Sequence, residues 1–431
     1  MAEKKGLVIT TKTLGIILII IVASSIATYM LFIRPREAKE EIGELRLWHT
    51  YSPFEEEVAR NLLDEFEKEH PKIKIIMEMI PYGELRSKLI TAIAAGQAPD
   101  LVRMDIIWVP EYAEMGALLD LDNYIAEAGI SSNDFYAGPW STCIWKGTTY
   151  GLPLDTNTRV LVYRKDLFNT AGVMVPKTWD EFVEVAQKLT LDKDEDGLID
   201  QWGWVIQDAA VGSWQFDPFL WQAGGDVLNP EMTSCIINDE AGVKALEFLV
   251  DLIYKYKICP SSLDLWKDQW GMFVRGEVAM IHDGPWVKGI IESMNPDVLD
   301  QMGLAVKPKG VKEASVIGGE DLVSFKQTKF PDAAWEVMHY MTSKHFQLEM
   351  GKVGQIPVLK AAGEDPVLKD DPFWKVFLEQ MRTAKARPVH PQFSKMDEII
   401  HRHIEAALLG EEPPKAALDA IANEIDELLK A

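Results

Sequence analysis

From residue 44 onward, short apolar runs alternate with segments whose apolar residues recur every three or four positions. That alternation restricts the fold more than any other feature of the chain. "LRLWHTY", from Leu45 to Tyr51, reads as a strand. "SPFEEEVARNLLDEFEKEHP" follows as a helix, with Ser52 as N-cap, Pro53 in the first turn and Val58, Leu62, Leu63 and Phe66 at helical spacing. "KIKIIMEMI" is a second strand, "YGELRSKLITAIAAG" a second helix and "DLVRM" a third strand. Strands separated by helices of this length predict βαβ units with right-handed crossovers. The expected class is α/β, with mainly parallel sheets flanked by helices. Such sheets bind ligands beyond the carboxyl ends of their strands. Tyr51 in "WHTYS" and Asp105 in "LVRMD" both fall there. Asp105 either caps the next element or faces a crevice that holds something polar.

The chain has 431 residues, 47% of them apolar, enough for a core divided between two domains. Its net charge of −23 argues against nucleic acid, whose phosphates need clustered cations. Cys143, Cys235 and Cys259 contain no CxxC spacing, so a disulfide framework or zinc ribbon is not expected. One Cys235–Cys259 bridge is an alternative to buried free thiols. Leu14 to Ile33 carries no charge over twenty residues. At 1.5 Å per residue such a helix spans a hydrocarbon core of about 30 Å, so residues 14–33 read as a transmembrane anchor. A cleaved signal peptide is the alternative, with Ser25-Ile26-Ala27 as its small-x-small site, although the apolar run continues past it. The start "KKGLVITTKTLG" resembles the pilin-like signal sequences of archaeal surface proteins, which are cut near Gly6 and keep their apolar segment. Residues 1–13 then form a short basic N-terminus and 34–43 a charged spacer.

A longer series of motifs carries a family resemblance. "DEFEKEHPKIKI", "LITAIAAGQAPDLVRMD" and "YAEMGALLDLDNYI" are followed by "YGLPLDTNTRVLVYRKDLFNTAGVMVPKTWDEFVEVAQKL". "WQAGGDVL", "FVRGEVAMIHDGPW", "IGGEDLVSF" and "ARPVHPQFSKM" come next in order. The series resembles the family 1 extracellular solute-binding proteins, the maltose- and trehalose-binding type of ABC importers. The resemblance implies a type II periplasmic-binding-protein-like fold with two α/β lobes. They join through three crossovers and close on ligand about a hinge. Lobe one is expected over 44–154 and 321–360, and lobe two over 155–320 and 361–431. The implied protein is a monomeric, membrane-anchored extracellular binder. It captures a sugar and presents it to the ABC permease, without being an enzyme.

The resemblance also implies site residues. Asp105 matches a carboxylate that grips sugar hydroxyls, and Glu55 matches a second one, each with a helix-capping or first-turn role as its plainer reading. Asp155 and Asn157 in "LPLDTNT" match a pair that relatives use as Tyr and Asp. Trp286 in "DGPW" matches an aromatic that stacks on a pyranose face. Gly319 and Glu320 lie in a crossover loop that approaches the ligand, with Glu320 in place of an aromatic. Arg387 matches a ligand-contacting arginine, and Trp221 before "QAGG" is a further stacking candidate. The aromatic patch of maltodextrin binders is absent near Asp105, where Met104 and Ile107 stand, which favours a small sugar.

One motif is separate from the sugar site. "DKDEDGLIDQWG" places Asp192, Asp194, Asp196 and Asp200 around Gly197, with the Leu198 carbonyl in reach. This is the opening of a calcium loop without its twelfth-position acid. It reads either as a structural calcium site or as a solvated acidic turn. No cofactor is expected. Nucleophile-elbow, zinc-protease, P-loop and dinucleotide motifs are missing. His401 and His403 are two apart, on different helix faces, and do not suggest a metal site. Two rival functions stay open: a binder of another small solute such as glycerol phosphate, and a surface glycosidase built on two cleft acids.

Overall fold

The computed structural model describes residues 43–207 and 212–430 of the 431. The anchor expected over 14–33, the processing near Gly6 and most of the spacer lie outside the described residues. Among the described residues no helix is long and apolar enough to cross a membrane.

Local chemistry starts the first elements. β1 (Gly43–His49) ends just before Ser52, which forms a capping box. The Ser52 hydroxyl accepts from the Glu55 N–H, and the Glu55 carboxylate accepts from the Ser52 N–H at 2.8 Å. With Pro53 in the first turn, the helix Pro53–Glu69 begins where its caps dictate. β2 (Ile73–Met79) follows, then the helix Tyr82–Ala94 and β3 (Leu101–Asp105). Gly96, at φ 69°, turns the chain between that helix and β3.

Ten further strands complete the sheets. They are β4 (Ile144–Trp145), β5 (Thr148–Thr149), β6 (Gly151–Asn157), β7 (Val160–Arg164), β8 (Trp202–Trp204), β9 (Val278–Asp283), β10 (Met302–Ala305), β11 (Ser315–Ser324), β12 (Ile356–Pro357) and β13 (Ala384–Ala386). The larger sheet runs β12-β6-β11-β3-β1-β2, with β13 joined to β11. The smaller runs β10-β7-β9-β8, and β4 with β5 forms a separate hairpin. β1 is parallel to β2 and β3, as the alternation requires. β11, however, is antiparallel to β3 and β6, and β7 is antiparallel to β9 and β10. Both sheets are therefore mixed, a correction to the mainly parallel sheets expected. The reason is that strands linking two lobes must run out of one and return through it.

β11 is the member that touches both lobes. Ser315–Ile317 pair with β13, while Gly318 to Ser324 lie beside β6 and β3. β6 leads through Thr158 and Arg159 directly into β7 of the smaller sheet. A third connection runs from β12, held on β6, to the helix Pro372–Met381, which packs on β7 and β10. The larger sheet buries Leu45, Leu47, Phe66 and Met338, and the smaller lies among Phe182, Trp204, Phe216 and Trp266. The C-terminal helix Pro414–Lys430 packs on Phe393–Leu408 and Glu240–Tyr254 as a structural element of lobe two. Cys143, Cys235 and Cys259 are buried free thiols, so the Cys235–Cys259 bridge is not formed.

Gly319 sits where β11 passes from one lobe to the other. Its φ is 138°, and a Cβ built there would lie 2.4 Å from the Asp155 carbonyl oxygen. We expect Gly319→Ala to destabilise the protein by more than about 1 kcal/mol in urea denaturation. A midpoint equal to wild type would show that this crossover tolerates a side chain.

Candidate ligand-binding cleft

A cavity of about 430 Å³ opens where the lobes meet, beside the crossing strands. Its floor on the side of lobe one is set by β3. Residues two apart on a strand share a face, so Arg103 and Asp105 both point toward it. Asp105 does both things its position allows. Its Oδ1 accepts from the Ile107 N–H at 2.9 Å, which caps the turn after β3. Its Oδ2 accepts from the Tyr82 hydroxyl at 2.8 Å, and the Arg387 guanidinium comes within 3.4 Å of Oδ1. It lines the cavity at 7% exposure.

Arg103 ties the wall together. Its guanidinium donates to Asp155 Oδ2 at 3.1 and 3.2 Å, to Glu320 Oε2 at 2.7 Å, to Gln355 Oε1 at 3.0 Å and to Thr50 Oγ1 at 2.7 Å. It also lies 4.5 Å over the Tyr51 ring. The Gln355 amide in turn donates to Glu55, whose other oxygen is held by the capping box. Burial works against the Arg103 charge, but Asp155 and Glu320 more than hold it on. Burial also pushes the Glu320 carboxyl well above its usual range, against the pull of Arg103.

Lobe two supplies the aromatic side. β9 ends at Asp283, whose carboxylate accepts from the Gly284 N–H at 2.8 Å and from Trp270 Nε1 at 2.5 Å. Trp286 follows three residues later, its ring 6.5 Å from that of Trp214 at an interplanar angle of 31°. Trp214, Trp270 and Trp286 all line the cavity. Arg387 stacks 5.1 Å over Trp214, which orients it between the aromatic side and Asp105.

Of the residues singled out from the sequence, Glu55, Asp105, Asn157, Trp286, Gly319, Glu320 and Arg387 line this cavity. Tyr51 and Asp155 stand behind it, under Arg103. Trp221 does not reach it: at 1% exposure it is buried with Ala314 and Val316, its Nε1 bonded to Asp226. The ring on the wall is Trp214, one residue into the same helix Ser213–Ala223. Sequence reasoning also passed over Tyr82, Arg103, Trp270 and Gln355. Arg103 carried a signal, because a charged residue inside an otherwise apolar strand and two before Asp105 must find buried partners.

The acidic loop turns tightly, with Gly197 at φ 92°. Asp192, Asp194 and Asp200 place carboxylate oxygens within 4.8 Å of one another. Asp196 is not in that group; its carboxylate accepts from the Leu198 N–H at 2.7 Å, and the Leu198 side chain is exposed. His401 faces Glu405 at 3.4 Å, while His403 pairs with Glu412 and Glu424. The two histidines share no cluster.

Two α/β lobes hinged by crossing strands over such a cleft define a solute-binding protein. The chain belongs to the bacterial extracellular solute-binding protein family, whose pattern matches residues 50–347. It is 27% identical over 414 residues to the maltotriose-binding protein of Pyrococcus abyssi, covering 92% of this chain and 84% of that protein. Among solved structures, a solute-binding protein of Thermotoga lettingae bound with α-D-tagatose is 29% identical. Its TM-score is 0.82, over 90% of this chain and 99% of that one. The GacH receptor of Streptomyces glaucescens, solved unliganded and with acarbose, is 27% identical with a TM-score of 0.82, over 90% and 98%.

Removing one partner from a buried charge network leaves the others unpaired. We expect Arg103→Met to lower stability by about 3–5 kcal/mol in urea denaturation; a loss near zero would mean that the carboxylates do not need it. His49 lies beneath this network, fully buried, with its pKa lowered to about 4 by burial and by Arg103. A depressed histidine stabilises the fold above its unfolded pKa of about 6.5 and loses that contribution as pH falls toward the folded value. Between about pH 6.5 and pH 4 the stability should therefore fall by up to roughly 1.4 kcal/mol per pH unit. His49→Gln should remove that part of the slope, and an unchanged slope would assign it elsewhere.

Proposed function

We propose that this chain is the substrate-binding subunit of an ABC sugar importer. It captures a mono-, di- or short oligosaccharide in the cleft and delivers it to the permease as a monomer. The observation that carries this reading is the division of the cleft: hydrogen-bonding groups on Asp105, Glu55, Glu320 and Asn157 face three tryptophan rings. A sugar presents hydroxyls at its edges and C–H surface on its faces, and the two sides match that division. Similarity to sugar-binding relatives supports it. A glycerol phosphate binder would need cations free for the phosphate, whereas Arg103 is already shared among several acceptors. Proteins of this family bind rather than turn over their ligands, so a chromogenic glycoside should be left intact.

The finer parts of the reading rest on the sequence. Residues 14–33 anchor the protein in the cell membrane with the lobes outside. Lobe one comprises 44–154 with 321–360, and lobe two 155–320 with 361–431. A calcium ion at the 192–200 loop would be structural. Asp192, Asp194 and Asp200 supply only part of the six to eight oxygens calcium takes, so carbonyls such as that of Leu198 and water would complete its shell.

Thermal unfolding of the full chain, in a detergent without a sugar headgroup, tests the reading against trehalose, maltose, maltotriose, glucose, cellobiose, xylobiose and glycerol 3-phosphate. A ligand at a hundredfold excess over its dissociation constant should stabilise by about 2.7 kcal/mol. We expect a shift with at least one sugar, and a loss of at least about tenfold in its affinity in Trp286→Ala and in Asp105→Ala. A shift with glycerol 3-phosphate alone would sink the sugar reading and leave the fold intact.

A further inference from the structure

The cleft carries more negative charge than its cations balance. Glu55, Asp105, Glu320 and Asp397 line it, and Asp155 and Asp217 are buried directly behind. Among the described residues, two guanidiniums, Arg103 and Arg387, stand against these six carboxyl groups; His401 also lines the cavity and no lysine does. Arg103 is divided between Asp155 and Glu320. Arg387 sits within 3.4 Å of Asp105 and in the field of Asp217 and Asp397. Burial favours the neutral acids of Glu320 and Asp217. Even with both protonated, four carboxylates face two guanidiniums.

A second observation points the same way. Asn157 Oδ1 is buried, belongs to a residue on the cavity wall that is 8% exposed, and has no hydrogen-bond partner among the described residues. It is an acceptor that waits for a donor. A sugar hydroxyl can satisfy an acceptor, but it neutralises no charge. When the lobes close and exclude water, the residual negative charge becomes expensive to keep unpaired. A ligand that brings a positive donor removes both deficits, while an anionic ligand deepens them.

We propose that the preferred ligand is a glycan bearing a protonated amine, an amino sugar or a basic pseudo-sugar. Its ammonium group sits at the Asn157–Glu320 edge and its rings lie on the tryptophan faces. This rests on the sugar-binding reading and narrows it. Arg387, whose Nε has no partner among the described residues, is left as a donor for a ring hydroxyl.

Isothermal titration of the full chain with matched pairs tests it: trehalose with trehalosamine, and cellobiose with the glucosamine dimer. The pairs differ in linkage, so an unfavourable linkage affects both members alike. The expected result is that the amine member binds roughly tenfold more tightly in at least one pair. An ammonium beside Glu320 favours its ionised form, so Glu320→Gln, which cannot ionise, should bring that ratio toward one, and Asn157→Asp, which adds charge at the open acceptor, should raise it. Neutral members that bind as tightly as their amines in every pair, or tighter, would overturn the inference and leave the sugar reading standing. Failure of every member to bind would count against the sugar reading itself, and the inference would fall with it. A ratio unmoved by both variants would overturn the placing of the amine at this edge.

Discussion

The guanidinium of Arg103 is the interaction on which the cleft depends. It is 4% exposed, on a strand whose every residue is buried. A charge so placed is tolerable only if its donors are satisfied and its sign is matched. Arg103 meets both conditions by gathering groups from β6, from β11, from the segment after β1 and from the loop before β12. Those segments are distant in sequence and include two strands that pass between the lobes. One buried cation thus fixes where the crossing strands stand relative to β3. Through Gln355 it also reaches Glu55 at the start of the first long helix.

The two lobes contribute unlike chemistry, and this makes closure part of recognition. Lobe one offers Glu55, Asp105, Arg103 and the Tyr82 hydroxyl; lobe two offers Trp214, Trp270, Trp286, Arg387 and one carboxylate, Asp397. A sugar held by lobe one alone would have its hydroxyls bonded but its apolar faces in water. Only a closed cleft satisfies edges and faces together. A ligand can shift the hinge no further than its differential affinity for the two forms allows. Several groups already meet across the divide without ligand. Arg387 approaches Asp105, and Arg86 of lobe one donates to Glu398 of the helix Phe393–Leu408 at 2.8 Å.

Much of the first lobe was legible because its signals are local. Ser52, Pro53 and Glu55 define a helix start by their own hydrogen bonds, and β1 to β3 follow the alternation. The place of Asp105 on the cavity wall was readable because a strand's carboxyl end is where α/β sheets open to ligands. The mixed sheets were not readable, since the direction of β11 depends on a partner, β3, more than two hundred residues earlier. Trp214 and Trp221 lie seven apart, two turns of one helix, and the sequence singled out only Trp221, for its place before "QAGG". Which of them reaches the cleft is decided by tertiary packing: Ala314 and Val316 bury Trp221 and leave Trp214 at the wall. Arg103 was missed because its partners come from segments up to 252 residues away.

The unpartnered buried atoms show what kind of selectivity such a cleft can reach. Asn157 Oδ1 and Arg387 Nε are held in place by surrounding structure yet lack hydrogen-bond partners among the described residues. A ligand that supplies those partners gains the bonds and also relieves the deficit. An analogue lacking one group leaves a buried donor or acceptor stranded, a larger penalty than the loss of an apolar contact of similar size. The tryptophan faces cannot discriminate in this way, because stacking tolerates any ring with a flat C–H surface. On the proposed reading, affinity for sugars as a class belongs to the tryptophans of lobe two, and the choice among sugars to the polar edge that Arg103 organises and to Arg387 opposite it.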